Sequence, residues 1–162
     1  MDYNKLMSEV KIECTKNNIP NIFIDLDNTE AMQLNYLFDR FLVFIDEFEE
    51  EQIKTIKNGK EMIKLYNLIY KLFFTNYSDH KVLDINGEKE KGYNKIFDEI
   101  QKRCEEDGVL NVFFNITKEE AVELNVLLSK FLVFYENLDD MEEYECGSKM
   151  TELYKHIKWL IA

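Results

Sequence analysis

The sequence is short of several things. It has one proline, five glycines, three cysteines, two histidines and one tryptophan in 162 residues. The three cysteines, Cys14, Cys104 and Cys146, are odd in number and far apart, which argues against a disulfide framework and against a zinc site and suits a reducing, cytoplasmic setting. So few glycines leave no glycine-rich loop to cradle a phosphate. No apolar run approaches the roughly 18 residues of a membrane span, and the charged start MDYNKLMSEVKIE lacks the apolar core of a signal peptide. Basic residues are the minority, 20 against 32 acidic, for a net charge of −12. Such a surface repels nucleic acid and anionic membranes and attracts basic partners.

What is present is a folding sequence. Nearly half the residues are apolar, with twelve Phe and nine Tyr to supply buried area. Shifted by 90 residues, the chain aligns with itself. Tyr3-Asn4-Lys5 meets Tyr93-Asn94-Lys95, and Cys14 meets Cys104. Asn21 and Phe23 meet Asn111 and Phe113. Glu30, Ala31, Leu34, Asn35 and Leu37 meet Glu120, Ala121, Leu124, Asn125 and Leu127. Phe41-Leu42-Val43-Phe44 meets Phe131-Leu132-Val133-Phe134. After a two-residue deletion the offset becomes 88, and Gly59, Met62, Leu65, Tyr66, Ile69 and Leu72 meet Gly147, Met150, Leu153, Tyr154, Ile157 and Leu160. The chain is a tandem duplication, 1–74 and 92–162, joined by a polar connector, 75–91. Units of about 70 residues bury little surface alone, so a shared core is expected.

Each copy reads as an αβαα unit. A first helix spans about Tyr3 to Asn17, with Tyr3, Leu6, Met7, Val10 and Cys14 on one stripe; Tyr93, Ile96, Phe97, Ile100 and Cys104 form its counterpart. Turn residues follow: Asn17, Asn18 and Pro20, or Asp107 and Gly108. The β-branched and aromatic segments Ile22–Leu26 and Val112–Ile116 predict short strands. A second helix opens at Asp27 with Glu30, or Thr117 with Glu120, the spacing of a capping box, and runs to about Phe48 or Leu138. A third helix covers about Lys60 to Phe74, or Ser148 to Ile161. One strand per copy cannot satisfy its own backbone, so the expected fold is α+β and mainly helical. Its small central sheet pairs the two strands across a pseudo-two-fold axis, and Val82–Ile85 in the connector is a candidate third strand.

Three groups of residues bear on chemistry. The segment Phe23-Ile24-Asp25-Leu26-Asp27-Asn28-Thr29 resembles the first motif of the haloacid dehalogenase superfamily, an apolar strand followed by Asp-x-Asp-x-Thr. The resemblance implies a magnesium-dependent phosphatase, with Asp25 as nucleophile and Asp27 as general acid/base. It covers seven residues; copy two has Asn115 and Thr117 at the matching positions, and Asp27 also reads as a helix cap. As a calcium loop the same segment fails, with Glu30 at the sixth position and Tyr36 at the twelfth. His80 and His156 lack ligand-like neighbours, and Cys14 and Cys104 fall on apolar stripes as core residues.

The third group is acidic: Asp46, Glu47, Glu49, Glu50 and Glu51 in copy one, and Glu136, Asp139, Asp140, Glu142, Glu143 and Glu145 in copy two. Both clusters fall between the second and third helices. Carboxylates at a helix C-terminus add to the negative end of its dipole, a cost taken twice, and matched clusters can present phosphate-like charge to a basic groove. The expected function is therefore an acidic, non-enzymatic protein-binding module. It needs no cofactor or metal and inhibits or masks a partner with a basic surface, such as a nuclease or another nucleic-acid-binding protein. Phage or mobile-element anti-defence proteins, the anti-CRISPR proteins among them, share this size and charge. The alternative is a structural protein that forms homo-oligomers through its aromatic third helices.

Overall fold

The computed structural model describes residues 1–77 and 92–162. Its regular elements are helical: α1 Tyr3–Lys16, α2 Asn28–Asp46, α3 Glu50–Lys54, α4 Gly59–Tyr77, α5 Tyr93–Asp107, α6 Lys118–Glu136 and α7 Gly147–Ile161, with a 3₁₀ turn at Met141–Glu143 before α7. Caps set the helix starts. The Asp2 carboxylate accepts the Lys5 amide, and Asp27 accepts that of Glu30. Thr117 and Glu120 close a reciprocal capping box. Gly108, at φ 65°, ends α5 in the left-handed conformation that glycine adopts without a Cβ clash.

The expected central sheet is absent. There is no strand among the described residues, and Ile22–Leu26 and Val112–Ile116 are irregular turns. The candidate strand Val82–Ile85 lies outside the described residues. The physical reason for the correction is visible in the hydrogen bonds. The Ile22 amide donates to Asn125 Oδ1 at 3.0 Å, and the Val112 amide to Asn35 Oδ1 at 2.9 Å. Phe23 and Phe113 donate to Oδ1 of Asn21 and Asn111, two residues back. Buried asparagine side chains take the place of a backbone ladder, so no second strand is required. The apolar content of these segments reflects burial instead: Ile22, Phe23 and Leu26, and Val112, Phe113 and Ile116, all face the core.

The two halves are interlocked. The backbones of α1 and α2 do not approach each other. Instead α1 packs on α6 and α5 on α2. The helices α4 and α7 each bridge the long helix of their own half and that of the other, with the larger contact across halves. Matched pairs mark the pseudo-dyad. The Tyr3 amide donates to Asn94 Oδ1 and the Tyr93 amide to Asn4 Oδ1, so each half caps the other's first helix. Tyr3 stacks on Phe97 at 4.4 Å, and Phe23–Phe113 and Phe41–Phe131 meet edge-on, each at 5.8 Å. One hydrophobic core draws on every long helix.

Candidate functional site

The acidic residues lie where α2 and α6 end, and all eleven are exposed. Asp46 is the last residue of α2, Glu47 its C-cap and Glu49 the N-cap of α3, with Glu50 and Glu51 in the first turn of that helix. In the second half Glu136 ends α6. Asp139 and Asp140 follow, then Glu142 and Glu143 in the 3₁₀ turn and Glu145 beyond it. The short α3 and the 3₁₀ turn lie beyond the three-helix pattern expected of each half, and they alter the electrostatics. Glu49, Glu50 and Glu51 sit at a helix N-terminus, where the dipole favours them. Only Asp46, Glu47 and Glu136 meet the unfavourable end, and neither long helix has a basic residue in its last turn.

The fold carries each acidic turn across to the other half. The Glu145 amide donates to Glu47 Oε1 at 3.2 Å, and Tyr144 packs against Phe44 and Phe48 at the end of α2. Reciprocally, Asn58 Nδ2 donates to the Lys130 carbonyl on α6 at 3.5 Å. Within each half a matching glycine lets the acidic turn fold close against the helix that follows it. At Gly59 a side chain would strike the Ile53 carbonyl, and at Gly147 the Met141 carbonyl. Both clusters are thereby brought to one end of the bundle.

Some of these carboxylates have internal work. Burial raises the Tyr66 pKa and the neighbouring Asp46 carboxylate raises it further, and at the equivalent place Glu136 takes a hydrogen bond from the Tyr154 hydroxyl. Glu50 and Glu51 flank Lys54 at 3.2 and 3.6 Å. Among the described residues, Glu49, Asp139, Asp140, Glu142, Glu143 and Glu145 have no ion pair or side-chain hydrogen bond. In both halves the matched Tyr–carboxylate pair is a signal that the sequence alignment of Tyr66 with Tyr154 carried.

The dehalogenase-like segment has a different setting from the one its motif implies. Asp25 is exposed in a turn, and the Asp27 carboxylate is occupied as the α2 cap, 2.8 Å from the Glu30 amide. No strand underlies them. No group of three metal-ligating side chains is clustered among the described residues. The cysteines are all buried. Burial pushes the Cys104 thiol up to about 12 and raises Cys14 and Cys146 as well. For Cys146, the nearby Arg40 works against burial, and Glu145 and Glu47 reinforce it. His156, on α7, lies 2.7 Å from Glu30 Oε2 of the other half; His80 is outside the described residues.

No helix among the described residues is long and apolar enough to cross a membrane. The chain matches no family model, no curated protein and no solved structure.

Proposed function

We propose that the protein is an acidic binding module that docks on the basic, nucleic-acid-handling surface of a protein partner and masks or inhibits it. Its setting is cytoplasmic, as for an anti-defence protein of a phage or mobile element of the anti-CRISPR kind. The observation that supports this reading is the meeting of both carboxylate clusters at one end of the bundle, where six side chains have no cation partner among the described residues. Charges of one sign held on a rigid frame are complementary to a cationic groove, and such complementarity steers association and weakens with salt. The test is partner capture at two salt concentrations with wild type and a variant in which Glu49, Asp139, Asp140, Glu142, Glu143 and Glu145 are changed to their amides. The variant is expected to lose the partner, and wild type to lose it as salt rises. Equal capture by both proteins would overturn the reading.

A second reading has its own observation. Tyr66, Tyr70 and Phe74 form a ladder along α4, with rings 6.2 and 4.4 Å apart and the last two residues about half exposed. A homo-oligomer that buries this ladder would show a concentration-dependent mass in light scattering, with no partner added.

A further inference from the structure

The duplication supplies an internal control, because a position that departs from its sister has been freed from the shared packing pattern. The sharpest departure lies where α7 crosses the start of α2. At the sister site, α4 presents Leu68 and Lys71 to the start of α6. Leu68 is buried, and the Lys71 ammonium lies 3.5 Å from Glu120 Oε2 while Glu120 Oε1 accepts the Thr117 amide. On α7 the matching residues are His156 and Trp159. Trp159 is 62 % exposed, a large apolar ring left in water. Glu30, the counterpart of Glu120, is met by His156 Nε2, which is buried yet makes no aligned hydrogen bond to it. Both departures line one open groove of about 450 Å³, with Gln33, Glu152 and Lys155 also in its walls. The volume is within the range of ligand sites.

The sister site identifies the missing chemistry. There the chain's own ammonium neutralises the glutamate. In the groove no lysine among the described residues does so, and an indole face has replaced the lysine stem. We infer that the groove receives a lysine or arginine side chain of the basic partner proposed above, its cation on Glu30 and its stem against Trp159. Trp is the best of the aromatic platforms for a cation, and a carboxylate beside it adds a charge-assisted hydrogen bond. Glu152 is held by Lys149 at 3.4 Å. With Glu152 paired to Lys149, Glu30 is the carboxylate that the entering cation neutralises. The acidic end of the bundle supplies long-range attraction, and this groove supplies a specific anchor.

Trp159 is the sole tryptophan, so the full-length protein reports on its own groove. The experiment titrates it with a hexa-arginine peptide at low salt, following Trp159 emission, and in parallel the anisotropy of a labelled copy of the peptide. The emission is expected to change saturably over the same concentrations as the anisotropy. Glu30→Gln is expected to weaken binding about fivefold. Trp159→Lys, which rebuilds the sister site and supplies an internal ammonium, should weaken it by a similar factor. Circular dichroism on both variants confirms the fold. If the peptide binds but leaves the emission unmoved, and Glu30→Gln binds as wild type does, the groove assignment is overturned and the acidic-module reading stands. If no anisotropy change occurs, that reading falls and the groove falls with it.

Discussion

Asn35, near the middle of α2, holds the backbone of Val112 in the other half: its Oδ1 accepts the Val112 amide at 2.9 Å while its Nδ2 donates to Asn111 Oδ1 at 3.1 Å. Asn125 treats Ile22 and Asn21 in the same way, at 3.0 and 3.2 Å. Each of these side chains is almost fully buried and has its partners. Two long helices thus fix the turns that precede their partners, and each half completes the other.

Removing either asparagine leaves a buried amide unpaired. Asn35→Leu and Asn125→Leu should each cost about 2–4 kcal/mol, against less than about 0.5 kcal/mol for an exposed control such as Asn67→Ala. Urea denaturation of the four proteins measures this. A small loss at both asparagines would mean that the turns do not depend on them.

Each acidic turn packs against the start of the next helix at a glycine where a Cβ would strike a backbone carbonyl. Gly59→Ala and Gly147→Ala should each destabilise by about 1–3 kcal/mol as the opposing carbonyl is forced away. Gly108 has open space around its missing Cβ but a φ of 65°. Gly108→Ala should therefore cost only about 1 kcal/mol, from backbone strain alone. Thermal denaturation ranks the three.

Asp25 and Asp27 are separated by their roles. Asp27→Ala removes the cap of α2 and should cost about 1 kcal/mol, while Asp25→Asn, in an exposed turn, should leave stability unchanged. The same two variants bear on phosphatase chemistry: hydrolysis of a generic phosphate ester by wild type, abolished by Asp25→Asn, would contradict the binding-module reading.

Alkaline conditions should loosen the fold. Burial raises the Cys104 thiol from 9.0 and the Tyr3 phenol from 10.0, both to about 12. The folded chain therefore keeps protons that the unfolded chain releases. That contribution is intact below pH 9 and is lost as pH rises from 9 towards 12, because the unfolded state binds fewer protons there. The urea midpoint should be flat to about pH 9 and fall above it, and a thiol reagent should label the native protein only at the rate of unfolding. A midpoint that rises above pH 9 would contradict the assignment.

Much of this architecture was legible in the chain. The helical stripes, the caps at Asp27 and Thr117 and the two acidic turns follow from spacing and residue type. The strands did not survive, because β-branched and aromatic residues report burial, and a buried turn has the same need for them as a strand. The clue to the truth was Asn35 matching Asn125, a polar residue kept on an otherwise apolar stripe. The interlocking was not legible, since the apolar face of α1 is suited equally to α2 and to α6. For the same reason the acidic clusters could be found in sequence, but not the end of the bundle to which they are carried. The groove beside Trp159 needed the coordinates, because it spans two halves.

The acidic end and the groove exist only if the two halves fold as one. Native-state hydrogen exchange on wild type and Asn125→Leu tests this most directly. The account predicts that the slowest amides of α2 and α6 open with the same free energy, and that the substitution lowers protection equally in both halves. Separate opening energies, or a loss confined to residues 92–162, would contradict it.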